Sequence, residues 1–255
     1  MLLEIKKLSV TVKSSGLKAV DGISLSVDSG SPLLILGQSG SGKTMICRAL
    51  FGLTNSSELD VSGRIIFNGQ DILSADAKSR RKLYGSDIAL IPQNPMTAFD
   101  PSCKLGHQLA ETYRLHNKSS NKAAKIAVLE AMQRAGLERC EAVWSSCPYM
   151  LSGGMLQRVA VAAAIMNSPK LIIADEPTTA LDAEHRIAVT DMLKSLCSSA
   201  AVIMVTHDFA VAERFGGYAY IMKNGVFAEQ GDIDKIISAP ENEYTKELLD
   251  AALLI

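Results

Sequence analysis

No run of this sequence is long and oily enough to cross a membrane. The most apolar stretches, Val159–Met166 and Leu171–Ala174, fall far short of the roughly 20 residues a spanning helix needs. A leader peptide is not expected either, because Glu4, Lys6 and Lys7 interrupt any apolar segment at the N-terminus. There is no C-x-x-C pair: the five cysteines (Cys47, Cys103, Cys140, Cys147, Cys197) are scattered and odd in number. That suits free thiols in a reducing compartment and gives no metal-ligand spacing. Charge of one sign is also missing, with 26 Lys+Arg against 27 Asp+Glu and a formal net charge of −1. Such a balance argues against binding nucleic acid through a broad basic face. Apolar side chains, by contrast, make up 47% of 255 residues at a mean hydropathy of +0.15. That excludes disorder and supplies a sizeable core.

The apolar pattern changes along the chain. Leu8, Val10 and Val12, then Ile23, Leu25 and Val27, alternate with polar residues around a turn near Ser14–Gly16, which is the period of strands. Leu33–Leu36 is a short apolar strand ending at Gly37, and Met45–Leu53 has helical spacing. Residues 61–73 read as a strand pair about Asn68-Gly69, and Ile88–Ile91 as a buried strand stopped by Pro92. From Leu105 to Leu137 apolar residues recur every three or four positions, predicting two helices around a polar Asn117–Asn121 turn. A further helix is expected over Gly154–Met166. Strand and helix then alternate through Leu171–Ala174, Ala183–Leu196, Ala201–Val205, Phe209–Phe215 and Tyr218–Met222. The expected fold is α/β with a mainly parallel sheet, an N-terminal antiparallel β part and a helical insert. On this reading one domain comprises a core of residues 1–92 and 166–255 and an insert over 93–165.

Three motifs carry chemistry. Gly37-Gln38-Ser39-Gly40-Ser41-Gly42-Lys43-Thr44 matches G-x-x-x-x-G-K-[ST] between a strand and a helix. Glycines there let successive N–H groups form a concave anion nest, and the helix adds its positive end. Lys43 is placed to reach the β- and γ-phosphates, and the Thr44 hydroxyl to ligate Mg²⁺. Leu171–Ala174 runs into Asp175 and Glu176, adjacent carboxylates that would be expensive at a buried strand end without a cation. Beside a P-loop, Asp175 is the expected Mg²⁺ partner and Glu176 the general base toward water. Leu151-Ser152-Gly153-Gly154-Met155-Leu156-Gln157-Arg158 opens a helix. Ser152 there is either a plain N-cap or, with the glycine amides, part of a second anion site.

In this order the motifs resemble the ATP-binding-cassette (ABC) ATPases, a P-loop NTPase family, from about Leu3 to Leu249. The resemblance implies that Gln93 is the Q-loop glutamine touching Mg²⁺ and the attacking water, Ala180-Leu181-Asp182 the D-loop, and His207 the switch histidine on the γ-phosphate. It also implies ATP and Mg²⁺ as cofactors and a head-to-tail pair of cassettes, the second a copy or a paralogue. Ser152, Gly153, Gly154, Gln157 and Asp182 would then act at a nucleotide shared with the partner. Val12 stands where the family carries an adenine-stacking aromatic, so poor discrimination between ATP and GTP is expected. Pro92–Pro101, Pro148–Arg158 and Tyr244–Leu249 resemble the peptide/nickel importer branch, closest to its shorter nickel type. That implies peripheral attachment at the cytoplasmic face to transmembrane permease subunits, with cargo delivered by a substrate-binding protein. Nickel or another chelated transition metal is the expected cargo, and di- or oligopeptides the alternative. A soluble ABC ATPase working on nucleic acid is the rival from another class. The single cassette, the absence of heptads and the lack of positive charge argue against it.

Overall fold

The computed structural model describes residues 1–179 and 181–253. Its ten strands are β1 (Leu3–Val12), β2 (Lys18–Val27), β3 (Pro32–Leu36), β4 (Leu59–Phe67), β5 (Gln70–Asp71), β6 (Ile88–Ile91), β7 (Leu171–Asp175), β8 (Ala201–Thr206), β9 (Tyr218–Lys223) and β10 (Val226–Asp232). Ten α-helices join them: α1 (Lys43–Leu50), α2 (Ala77–Leu83), α3 (Leu105–Asn117), α4 (Asn121–Arg134), α5 (Cys140–Ser145), α6 (Gly153–Ile165), α7 (Ala183–Leu196), α8 (Phe209–Phe215), α9 (Ile233–Ser238) and α10 (Glu243–Leu253).

The strands form two sheets. The first is antiparallel, in the order β2-β1-β4-β5, and closes on the Asn68-Gly69 turn, where both residues take positive φ. That conformation is what a two-residue hairpin of this twist requires. The second has the order β10-β9-β3-β8-β7-β6, with β9 through β6 parallel and β10 antiparallel at one edge. Alternation sorts its core onto two faces. Leu34, Leu36, Ile172, Ala174, Val202 and Met204 point toward α6, α7 and α8. Leu33, Ile35, Ile173, Ile203 and Val205 point toward α1 and the antiparallel sheet. Both faces are covered, so β3, β7 and β8 read as unbroken apolar runs. Helices α3, α4 and α5 pack on one another, and α4 packs on α6, which lies against β6.

Parallel register brings the carboxyl ends of β6, β3, β7 and β8 to one edge. Leu36 pairs with Thr206, Asp175 with Val205, and Ala174 with Ile91. The loops that follow, at Gly37, Glu176, His207 and Pro92, therefore converge, as ligand loops do in open α/β sheets. The first predicted helix begins two residues earlier than its apolar spacing, at Lys43, and stops at Leu50, with Gly52 at φ +66° behind it. Periodicity missed α2, which buries no residue, and the six-residue α5. It also missed β10, whose Glu229-Gln230-Gly231-Asp232 stretch is polar, and the terminal helices α9 and α10.

Candidate active site

The loop between β3 and α1 has its shape because a side chain cannot enter it at two points. A Cβ on Gly42, at φ +111°, would lie 2.2 Å from the Ala19 carbonyl oxygen; one on Gly37 would lie 2.3 Å from that of Met222. Gly42 then opens α1 as its N-cap, in left-handed geometry. Lys43 is 4% exposed, and its Nζ donates to the carbonyls of Gly37 (2.6 Å) and Gln38 (2.9 Å). Burial lowers its pKa, partly opposed by the charges of Glu176 and Asp175. A buried ammonium reaching only carbonyl oxygens and a carboxylate 3.8 Å away retains capacity for an anion. Ser41 is buried as well, with its hydroxyl unpartnered.

Two carboxylates meet this loop from the end of β7. Asp175 accepts from Thr44 Oγ1 at 3.5 Å, a hydroxyl and a carboxylate converging as hard oxygen donors suited to Mg²⁺. Burial raises the Asp175 pKa, and the neighbouring Glu176 charge adds to the rise. Glu176 is the more connected acid. Its Oε2 accepts from Gln93 Nε2 (3.1 Å) and Thr179 Oγ1 (3.0 Å), and His207 Nδ1 lies 3.4 Å away. Its backbone takes φ +46°, a left-handed conformation that costs a non-glycine residue on the order of 1 kcal/mol and clusters at functional sites.

Gly37, Gln38, Ser39, Gly40, Gly42, Lys43, Thr44, Gln93, Glu176 and His207 line one cavity of about 630 Å³, within the range of nucleotide-sized sites. Sequence reasoning missed part of its wall. Thr179 stands three residues after Glu176 in Pro177-Thr178-Thr179, a spacing that offered a signal. Leu248, Ala251 and Ala252 recur at helical spacing on α10, but nothing in the sequence says that α10 reaches the cavity. Val12 does not line it, whereas Ala19 and Phe209 do.

The second motif is not in this cavity. Ser152 caps α6, accepting from the Met155 N–H at 3.3 Å, and is exposed together with Gly153. Gly154 is half-buried, while Gln157 is 2% exposed with its Nε2 unpartnered, so it packs inside rather than beside Ser152. Asp182 caps α7; Ala180 lies outside the described residues.

Replacing Asp175 by Asn should stabilise the nucleotide-free protein. The native carboxyl holds its proton more tightly than the unfolded one, so its ionisation costs stability as pH rises above the ordinary value of 3.8. At neutral pH the Asn variant should melt higher, by roughly 2–4 °C per kcal/mol relieved. The gain should shrink as the buffer is acidified, and turnover should fall. Equal melting temperatures at pH 7 in thermal denaturation would refute the assignment of cost to Asp175.

The fold and the cavity define a P-loop ATPase with an additional exposed helix cap in its own chain. The family described as ABC transporter matches residues 20–179. The chain is 38% identical over 253 residues to the metal-staphylopine import system ATP-binding protein of Staphylococcus aureus (strain Mu50 / ATCC 700699), spanning 97% of this chain and 92% of that one. It is 36% identical over 254 residues to the dipeptide transport ATP-binding protein of Escherichia coli (strain K12), spanning 98% and 78%. The dimeric, post-hydrolysis structure of the ATP-binding cassette MJ0796 bound to ADP and Pi superposes with a TM-score of 0.81 at 26% identity, over 91% of this chain and 99% of that one. The chain belongs to the ABC transporter ATPase family and is an ATP-binding, ATP-hydrolysing transport subunit. Among the described residues no helix is long and apolar enough to cross a membrane.

Proposed function

We propose that this chain energises import of nickel or another chelated transition metal through permease subunits, working at the cytoplasmic membrane face in a head-to-tail pair of cassettes. The observation that carries the paired arrangement is the separation of the Ser152 cap from the glycine-loop cavity. Lys43, Thr44, Gln93, Glu176 and His207 share a cavity, while the Ser152–Gly154 cap stands exposed outside it. A partner's cap would complete the site.

Within it, Lys43 and the loop amides would bind the β- and γ-phosphates, and Thr44, Asp175 and Gln93 would hold Mg²⁺. Bound Mg²⁺ supplies neutralisation of the charge developing on the phosphate oxygens. Glu176 takes the proton of the attacking water, Gln93 and Thr179 fix its carboxylate, and His207 holds the γ-phosphate side. Asp182 reaches the shared interface from the start of α7. Residues 93–165 move as the unit that joins the permease. The cargo assignment follows the metal-staphylopine relative, which matches over more of its own length (92%) than the dipeptide relative (78%). A substrate-binding protein delivers the cargo.

Deleting the gene should cut uptake of labelled nickel supplied with a chelator about tenfold in whole cells. Restoring the wild-type gene should recover it. Intact nickel uptake alongside lost dipeptide uptake would move the cargo to peptides. Purified transporter should turn over GTP at a rate comparable with ATP, since the family's aromatic position is Val12 here and Ala19 is what the first strand pair brings to the cavity; a strong ATP preference would count against loose adenine binding.

A further inference from the structure

The first turn of α7 carries two adjacent side chains, His185 and Arg186, that grip different parts of the molecule. His185 reaches the Ser152 cap. Its ring lies against Gly154, where an added Cβ would stand 3.0 Å from Cδ2 and 3.4 Å from Cγ. The same ring is held from behind: Nδ1 lies 2.8 and 2.9 Å from the two carboxylate oxygens of Asp182, and the His185 backbone N–H donates to Asp182 Oδ1 at 2.9 Å. Those bonds hold the Asp182 carboxyl below the usual carboxylate range. A side chain at 154 would press on this ring, which would have to give way by a few tenths of an ångström.

Arg186 reaches the opposite way. Its Nη1 donates to Asp208 Oδ2 at 2.8 Å, and its Nε is buried without a partner. Asp208 follows His207 directly and caps α8, accepting from the N–H groups of Ala210 and Val211. His207 in turn faces Glu176. One helical turn thus touches the exposed cap of α6 on one side and the loop of the catalytic cavity on the other. Bonds of 2.8 Å tie the ring to Asp182 and Arg186 to Asp208, and elements packed this way shift between discrete arrangements instead of deforming smoothly.

We infer that His185 is a positioning residue. Held by Asp182, its ring sets the Gly154 turn, and with Arg186 it couples that turn to the His207 loop of the same subunit. The inference rests on the paired-cassette reading, in which the cap serves the partner's nucleotide and the His207 loop serves this chain's own. Occupancy at one nucleotide then biases the geometry at the other.

The test uses the assembled transporter. His185→Val removes both the ring and the bond to Asp182; His185→Asn keeps a donor near the Nδ1 position and loses the ring. We expect His185→Val to lower kcat about tenfold with KM for ATP within about threefold of wild type. His185→Asn should recover part of the loss, and Arg186→Gln should lower kcat in a way that is not additive with His185→Val. A merely structural role would lower the melting temperature without this split and without recovery by Asn. If His185→Val keeps wild-type kcat while Ser152→Arg abolishes turnover, the positioning role is overturned and the paired reading stands. If Ser152→Arg also turns over normally, the paired reading falls and this inference falls with it.

Discussion

Glu176→Gln should leave a protein that binds ATP as tightly as wild type and hydrolyses it about 10²–10⁴-fold more slowly, the range a positioned general base contributes. The geometry makes the substitution a clean one. Gln93 Nε2 and Thr179 Oγ1 both donate to the same oxygen of Glu176, and a carboxamide oxygen can accept both bonds in its place. Those two bonds hold the side chain in place while it loses its basicity and its ion pair with Lys43 at 3.8 Å. Lys43 and the glycine loop, which bind phosphate, keep their own contacts to the Gly37 and Gln38 carbonyls. Each tenfold loss corresponds to about 1.4 kcal/mol of transition-state stabilisation, so the loss amounts to about 3–5 kcal/mol. A second consequence follows from charge. Glu176 is the next-largest cause, after burial, of the raised Asp175 pKa. Neutralising it removes that contribution to the Asp175 pKa and also the largest charge that favours the buried Lys43 ammonium. Single-turnover kinetics and a nucleotide-binding titration on one preparation separate these effects. Turnover within threefold of wild type would remove Glu176 from the proton-transfer role.

Much of this site was legible because its chemistry needs rare residue types at fixed spacing. Gly37 through Thr44 could be read because only glycine fits where Ala19 and Met222 carbonyls approach. Asp175 and Glu176 stood out as acids ending an apolar run. The α/β alternation was equally plain wherever a strand is buried on both faces, as in β7 and β8. Legibility failed where burial is partial. Helix α2 buries nothing and so has no apolar stripe, and β10 is half-exposed along most of its length. The wall formed by α10 and the His185 ring on Gly154 are tertiary contacts between distant segments. Spacing along the chain carries no trace of them.

Ser152→Arg should abolish turnover, a loss of at least about 10²-fold, while leaving the nucleotide affinity of the isolated chain nearly unchanged. The reasoning turns on what surrounds the cap. Ser152 and Gly153 are exposed, and a Cβ on Gly153 would meet nothing within 4 Å. An arginine at the neighbouring cap position can therefore be accommodated by the folded chain and meets an obstacle only when a second cassette approaches. The substitution also removes an N-cap, since the Ser152 hydroxyl accepts from the Met155 N–H, and that costs about 1 kcal/mol. Ser152→Ala provides the control, losing the same cap without adding bulk or charge. Both variants should melt lower by a similar amount. Only the arginine should prevent ATP-dependent association in light scattering, measured with Glu176→Gln present to block hydrolysis. Association of the arginine variant at the wild-type ATP concentration would mean that this helix end is not an interface element. The exposed cap would then be an ordinary helix start, and the cavity around Lys43 and Glu176 would have to complete itself from its own chain. In that alternative Lys43, the loop amides, Thr44, Gln93 and His207 would have to hold the transferring phosphate without a partner's cap.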